Sequence, residues 1–328
     1  MLVKVPDSEV IRDAVMLASR APSLHNSQPW RWVVEGARLQ LWADPRRLMP
    51  ATDRTGRELI LSCGAVLDHL RVAMAAAGWN SSTTRLPDPS EPDLLATLEF
   101  RPTEVVTEAQ RQRAAAIRRR RTDRLPFAAP SAWASLQSAL RRAVMPYEVL
   151  LDVVADDARP ILAEASHLTE QLRRYDTSYV SELRWWTSPF ESDATHVPDS
   201  ALVSGPEAAA VDVARAFPPA GVEPHRSRVD HDHSKILVLS TLRDDARLDV
   251  LRCGEALSAV LLECTVAGMA TCTLTHMTEM AMSRDTIRQL TGTAGTPQLL
   301  IRVGASTLNG HVESTARRLV TEVLEFRR

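Results

Sequence analysis

Two windows of the sequence repeat each other at a constant spacing of 190 residues. The first, RELILSCGAVLDHLRVAMAAAG, runs from Arg57 to Gly78, and the second, RLDVLRCGEALSAVLLECTVAG, runs from Arg247 to Gly268. They align without a gap and share seven of 22 residues, where composition alone would give about one or two. The repeat therefore predicts a chain built from two related halves. The alternative is two similar helices that arose by chance.

Each window predicts a long helix that is buried on most sides, because apolar residues recur at helical spacing and extend around the stripe. The small residues Gly64 and Gly254 would let two such helices approach closely, and an Ala-Gly pair predicts the end of each helix. A strand is predicted before and after each helix, at Arg38–Ala43, Asp93–Phe100, Lys235–Thr241 and Pro297–Ala305. We therefore predict an α+β fold in which each half has a central helix and a small mixed sheet.

The boundary between the halves is predicted in the polar stretch from Thr103 to Arg113, which gives a first half at 1–105 and a second half at 106–328. Residues 176–234 have no counterpart in the first half and combine several prolines with clustered aromatic residues. A loop-rich excursion of this length is typical of a lid, an arm or a disordered insert. We predict a lid or arm there.

Composition narrows the class of protein. The formal net charge of −2 argues against a general nucleic-acid binder, which is usually basic. No apolar run of about eighteen residues is present, and the first ten residues lack a secretory apolar region, so we expect neither a membrane span nor a signal peptide. The cysteines form no Cys-x-x-Cys pair, which favours reduced thiols in a cytoplasmic protein. They are Cys63, Cys253, Cys264 and Cys272.

The stretch IRRRRTDRLPF, from Ile117 to Phe127, places four consecutive arginines in a chain of slightly negative charge. Guanidinium groups beside a hydroxyl are suited to a phosphate monoester, because each contact is a charge-assisted hydrogen bond. The candidates are Arg120, Arg121, Thr122 and Arg124, and a helix predicted near Ser131 could add its positive end. The alternative is a last helical turn whose arginines complement the helix dipole and face water.

A second polar cluster, in RAPSLHNSQPWRW from Arg20 to Trp32, follows a predicted helix. Ser23, Asn26 and Gln28 offer donors and acceptors in a turn fixed by proline, and such a turn could bind the edge of a flat heterocycle. A phosphate at one end and a polar-edged ring at the other suggest a mononucleotide-like cofactor. The alternative is a plain turn before a strand with core tryptophans.

These motifs together make the chain resemble the nitroreductase-like FMN flavoproteins, and within them the mycobacterial Acg type, along nearly its whole length. The resemblance rests on RAPSLHNSQPWRW, TDRTGRELILSCGAVLDHLRVAMAAAG, RRRTDRLPF and TPQLLIRVG. It implies that Arg120, Arg121, Thr122 and Arg124 hold the FMN phosphate and that Pro22, Ser23, Asn26 and Gln28 line the flavin ring. It also implies a backbone N–H at Thr275 or His276 that faces the ring, and further phosphate contacts from Arg317 and Arg318, with Arg302 less favoured.

In the resembled family the two motifs come from different subunits of a homodimer. Here the ring-contacting turn lies in the first half and the arginine motif lies at the start of the second. The resemblance therefore implies a nitroreductase-like fold fused as a pseudo-dimer, a monomer with one FMN site retained and one lost.

Two classes of function follow from the resemblance. One is an FMN oxidoreductase that passes electrons from reduced flavin to a small-molecule acceptor such as a nitro compound or quinone. The other is a lidded flavin-binding, storage or sequestering protein with little or no NAD(P)H-dependent turnover. A phosphate-rich ligand or RNA without flavin is a third, weaker interpretation. His225, His231 and His233 lack a convincing fourth ligand, so we predict no metal site.

Overall fold

The two repeated windows are the two central helices of the fold. The structure is a computed structural model that describes residues 5–187, 196–198, 201–217, 229–308 and 314–327. The first half contains α1 (Ser8–Ala18), β1 (Trp30–Glu35), β2 (Arg38–Ala43), α2 (Arg57–Ala76), β3 (Trp79–Arg85) and β4 (Leu94–Pro102). Both central helices begin at the predicted arginine, and each is followed by a glycine with positive φ, Gly78 or Gly268, as the Ala-Gly pairs predict.

The second half repeats this order with insertions. It contains α3 (Glu108–Arg119), α4 (Trp133–Val144), β5 (Val149–Val153), α5 (Arg159–Arg173), α6 (Thr177–Trp186), α7 (Gly205–Ala209), β6 (Lys235–Thr241), α8 (Arg247–Val266), β7 (Ala270–Leu274), α9 (Ala281–Thr291) and β8 (Thr296–Gly304). The short α10 (Val320–Val323) and β9 (Leu324–Arg327) complete the described chain.

The two sheets share one strand order. The first runs β3-β4-β2-β1 and the second runs β7-β8-β6-β5, and each has a register shift at the equivalent pair, β2 with β4 and β6 with β8. β9 adds to the first sheet, parallel to β1, although it lies at the far end of the described chain. The prediction of a mixed sheet in each half was therefore wrong for the second, whose pairings among described residues are all antiparallel.

The halves meet where α2 crosses α8, at the two repeated glycines. A Cβ on Gly64 would lie 2.1 Å from the carbonyl oxygen of Leu251, and a Cβ on Gly254 would lie 2.1 Å from that of Leu61. The repeat spacing of 190 residues makes Gly64 equivalent to Gly254 and Leu61 equivalent to Leu251. The two contacts are therefore the same contact made in both directions, and the crossing has local twofold character. Only a residue without a side chain allows backbones to approach this closely.

Helix α2 alone, among the described residues, has the length and hydropathy that a membrane crossing needs. Of its most apolar window, 78% is buried inside the protein, as expected for a core helix. The four cysteines are free and buried.

The segment at 176–234 is described in part. Helices α6 and α7 fall within it, while 188–195, 199–200 and 218–228 lie outside the described residues. Of the aromatic residues in and just before α6, Tyr179 and Trp186 are buried, whereas Tyr175 is exposed and Trp185 is half-exposed. The predicted half boundary lies between β4 and α3.

Candidate functional site

Two adjoining cavities lie between the halves. The first, the arginine cavity, has a volume of about 490 Å³ and is lined by the turn after α1, the end of α3, the residues that follow it and the segment at 197–203. The second, the apolar cavity, has a volume of about 240 Å³ and is lined by α2, α8, β7 and residues 203–217. Both share a wall formed by Pro22, Ser23, His25, Thr122, Arg124 and Val203. The two cavities therefore form one continuous site.

The arginine cavity carries positive charge without matching carboxylates. Arg20, Arg120, Arg124 and Arg317 line it, and none of the four lies within salt-bridge distance of an acidic side chain in the described part of the chain. Burial and then the neighbouring Arg20 lower the pKa of Arg120 to about 10. Burial, followed by Arg120 and Arg20, lowers the pKa of Arg317 to about 9. Such crowding of like charges is favourable only if an anion joins it.

Each predicted arginine-motif residue lines the arginine cavity. Arg120 donates through Nη2 to the carbonyl of Arg20 at 3.2 Å, and Arg124 donates through Nη1 to the carbonyl of Ala201 at 2.9 Å. Arg121 bonds Asp123, so its charge is compensated. Thr122 lines both cavities. The helix predicted near Ser131 does not add its positive end, because α4 begins at Trp133 and its first turn is absent from the cavity lining.

The turn after α1 has an unusual backbone. His25, Asn26 and Gln28 have φ values of 46°, 63° and 49°. Residues other than glycine and asparagine rarely adopt this left-handed region of backbone conformation. Two serines hold the turn, since Ser23 Oγ accepts from the N–H of Gln28 at 3.0 Å and Ser62 Oγ accepts from the N–H of Leu24 at 3.3 Å. Backbone strain of this kind clusters at ligand sites.

The apolar cavity is walled mainly by aliphatic side chains and contains a few polar groups. Thr275 lines it, and Arg215 bonds the Thr275 hydroxyl at 3.1 Å. Burial, followed by Arg215 and Arg124, keeps the pKa of His25 well below its usual value, so that ring is neutral. Its edge faces Phe217 at a centroid distance of 5.7 Å, and the Arg124 guanidinium lies 4.8 Å from the same aromatic ring.

Five buried polar atoms that have no hydrogen-bond partner among the described residues belong to residues that line these cavities. They are Arg20 Nε, Arg120 Nε, His25 Nε2, Glu58 Oε2 and Arg302 Nη1. A buried polar group without a partner costs free energy, so a group bound in the cavities that bonded these atoms would be stabilised. In the arginine cavity the unpartnered atoms include the cationic donors of Arg20 and Arg120. In the apolar cavity they are a mixture of donors and acceptors, from His25, Glu58 and Arg302.

Three predicted residues lie outside the lining of both cavities. Gln28 is fully buried, and its Oε1 accepts from the N–H of Arg318 at 2.9 Å. Arg318 donates to the carbonyls of Gln28 and Trp30, so it fixes the C-terminal segment beneath the turn. His276 directs Nε2 to Ser166 Oγ at 2.9 Å, away from the cavities.

Pro22, Ser23 and Asn26 line the arginine cavity, as does Arg317, which bonds the carbonyls of Ser19 and Arg20.

The sequence motifs did not identify Arg20, Glu58 and Arg215 as lining residues. Arg20 opens the turn motif and was available from the sequence. Glu58 had a signal in the repeat, since the second window has Leu248 at the equivalent position. Arg215 had no signal in the sequence, because its position in the cavity wall depends on the path of the segment at 201–217. Of the three histidines considered for metal, His225 lies outside the described residues, and His231 and His233 are exposed.

The residues that the repeat relates to the cavity lining make other contacts in the second half. Ser62 lines the apolar cavity, and its repeat partner Arg252 instead pairs with Glu148 at 2.6 Å, beside the turn that follows α4. Tyr147 in that turn donates to Asp68 at 2.6 Å. Close by, Glu255 is fully buried and accepts from Arg85 at 2.6 Å. These side chains thus bond to one another and to the core around the repeat position of Ser62.

Comparison with known proteins gives a consistent set of relatives. The chain is 52% identical over 321 residues to the Mycobacterium tuberculosis protein named "Putative NAD(P)H nitroreductase acg", covering 98% of this chain and 96% of that one. A further M. tuberculosis protein with a name of the same form is 39% identical, over 98% of this chain and 92% of its own. No protein-family model matches the chain.

A solved structure described as a "putative nitroreductase" from Anabaena variabilis has a similar fold. Its TM-score is 0.54 at 8% identity, and the match covers 93% of this chain and 90% of that one. The similarity therefore extends over both halves, and at this identity it concerns the fold alone.

Proposed function

The chain belongs to the Acg-type nitroreductase-like proteins, and on that premise we propose that it binds one FMN in the two adjoining cavities and passes electrons to a small acceptor. A nitro compound or a quinone would be a suitable acceptor. When bound, FMN supplies the two-electron chemistry of its ring. The relatives' names include NAD(P)H, which makes a nicotinamide the first reductant to test.

The observation that carries this proposal is the continuity of an unpaired arginine cluster with an apolar cavity. A phosphate monoester would compensate the charges of Arg120, Arg124 and Arg317, and a flat ring would fit beside Leu61 and Leu257. The five unpartnered polar atoms support the proposal, since the oxygen and nitrogen atoms of FMN could serve as their hydrogen-bond partners. The residues present therefore fit FMN.

The remaining predicted contacts form part of the same proposal. Arg121 and Thr122 would support the phosphate, while Pro22, Ser23 and Asn26 would lie at the junction of phosphate and ring. A backbone N–H at Thr275 or His276 would face the ring edge. Gln28 and Arg318 would act indirectly, by holding the turn in its left-handed conformation.

We also propose that the molecule is a fused pseudo-dimer, active as a single chain with one site. The common strand order and the exchanged glycine contacts support a duplicated ancestor. The loss of the second site is supported by Arg252, the repeat partner of the cavity-lining Ser62, because it forms an ion pair with Glu148 instead of lining a cavity. The halves at 1–105 and 106–328 remain the proposed division.

The experiment is the visible spectrum of the purified protein, recorded without oxygen before and after addition of NADPH or NADH. We expect oxidised-flavin bands at one FMN per chain, either as isolated or after adding FMN, and bleaching of the bands by the nicotinamide. A protein that remains colourless with FMN in excess would refute the proposal. Two FMN per chain would refute the single site.

One observation favours a second candidate function, a lidded flavin store with little turnover. The described part of the segment at 176–234 walls both cavities, and the buried Arg215 holds it against the core by pairing with Glu279. Arg215 also donates to Tyr179 Oη at 2.8 Å. A nicotinamide must stack on the ring for direct hydride transfer, so a segment held in this way would slow reduction.

Changing Arg215 to Met should accelerate reduction of bound FMN by NADPH by about tenfold or more, because a buried ion pair that holds the closed segment is lost. Glu279 keeps its second partner, Arg173 at 3.0 Å, which limits the damage to the core. Anaerobic stopped-flow bleaching measures the rate. The matched control, Tyr179→Phe, removes one of the bonds and should change the rate by about fivefold at most. Equal rates for Arg215→Met and the parent would show that the segment is no barrier.

A further inference from the structure

One carboxyl group connects the proposed flavin site with a separate cavity. Glu58, in the first turn of α2, lines the apolar cavity, and it is the only carboxyl among the described residues that do so. The same side chain lines a third cavity of about 300 Å³, here named the charged cavity, with Asp53, Arg173 and Glu279. Glu58 is only 2% exposed, so it forms part of the partition between the two.

The two oxygens of Glu58 have different environments. Oε1 accepts from Arg57 Nη2 at 3.1 Å, and Arg57 is itself held by Thr278 and Gln298. Oε2 is buried and has no hydrogen-bond partner in the part of the chain that the structure describes. A carboxylate left in that state would be costly, whereas a neutral carboxyl can direct its O–H toward a group in the cavity.

From this geometry we propose that Glu58 is the acid that carries a proton from the charged cavity into the apolar cavity when an acceptor is reduced there. The inference rests on the proposed function, which supplies the electrons. With a quinone, one oxygen receives a hydride and the other receives the proton of Glu58. The two C=O groups become two C–OH groups and no other bond in the acceptor breaks. Glu58 is left as a carboxylate and regains a proton from water in the charged cavity.

The surroundings explain why a relay is needed at this point. Residues 203–217 cover the apolar cavity and separate it from solvent on that side. The other polar side chains of its described lining are hydroxyls, arginines, the neutral His25 and the thiol of Cys272, whose pKa is raised by burial. None of these is an acid that can give a proton at neutral pH. The charged cavity reaches solvent at Arg54, whose side chain is 71% exposed.

Charges around Glu58 favour the protonated form at neutral pH. Burial and then Glu279 raise the pKa of Glu58 to about 8, with Asp53 acting in the same direction. Arg57 on the same helix and Arg215 from the covering segment oppose the shift. Because the pKa is raised, the acid is present below about pH 8 and is lost as the pH rises through that value.

The test compares the parent protein with Glu58→Gln, which preserves shape and removes the proton. The FMN-loaded proteins are reduced with dithionite and mixed with 1,4-benzoquinone, so the natural donor does not matter. We expect the parent rate to fall tenfold per pH unit above about pH 8. Glu58→Gln should be about a hundredfold slower at neutral pH and independent of pH. The control Glu263→Gln, on α8 and outside all three cavities, should match the parent.

A second measurement requires neither FMN nor turnover. In the ligand-free protein, the infrared C=O band of a neutral buried carboxyl should titrate near pH 8 in the parent and be missing from Glu58→Gln. The pKa of Glu170 is raised by burial to about 7, so this carboxyl titrates in both proteins. Its band cancels in the difference spectrum between the parent and Glu58→Gln. If Glu58→Gln binds FMN and keeps the parent rate and pH profile, the relay is wrong while FMN binding stands. Weaker FMN binding with an unchanged pH profile would make Glu58 a binding residue and also overturn the relay.

Discussion

Replacing both Arg120 and Arg124 with Met should weaken FMN binding by at least about a hundredfold. Each arginine would supply a charge-assisted contact to the phosphate worth about 1.5–3 kcal/mol. The ligand-free protein should meanwhile be at least as stable as the parent. The two side chains donate to only two backbone carbonyls, while their charges repel Arg20, Arg215 and Arg317. Fluorescence titration with FMN and urea unfolding without FMN measure the two effects.

The matched control is Arg113→Met, on the same helix that leads into the motif. Arg113 is paired with Glu263 at 3.2 Å and lies outside the cavities, so FMN affinity should not change. Unchanged FMN affinity in the double variant would show that the phosphate is bound elsewhere. A large loss of ligand-free stability would show that the two arginines are structural rather than reserved for an anion.

The second large effect is expected at the helix crossing. Gly64→Ala should destabilise the protein by about 3 kcal/mol or more, because its Cβ would meet the carbonyl oxygen of Leu251 and helices α2 and α8 would have to separate. Gly254→Ala should cost a similar amount, since it makes the equivalent contact with Leu61. The double variant should cost less than the sum, because both methyl groups are relieved by the same separation. Urea unfolding measures all three.

Gly205→Ala is the control for the glycine series. A Cβ at Gly205 meets nothing within 4 Å and the residue begins α7, so its free energy of unfolding should change by about 0.5 kcal/mol at most. If Gly64→Ala and Gly254→Ala lowered the free energy of unfolding by widely different amounts, the twofold character of the crossing would be of no energetic importance.

Sequence patterns were sufficient to predict the helices and strands that are determined by neighbouring residues along the chain. The strands Arg38–Ala43 and Lys235–Thr241 and the starts of both central helices lie where their patterns predict. β9 was missed because four residues with no strong alternation form a strand only where β1 offers an open edge.

For the site, the sequence predicted which segments meet but not the direction of every side chain. The turn at Pro22 and the arginines at Arg120 do line one cavity. Gln28 points elsewhere, since side-chain direction in irregular segments depends on tertiary contacts such as the one with Arg318. The mutual pairing of Arg215 and Glu279, 64 residues apart, could not be read from either local sequence.

The position of β9 has a consequence for synthesis of the protein on the ribosome. β1 is among the first elements to emerge, yet its outer neighbour in the sheet is translated almost a whole chain later. Until then the first half has an unpaired strand edge, the kind of surface that promotes association between nascent chains. The first half can therefore begin folding early but cannot complete its sheet, and chaperone demand should be highest during translation of the second half.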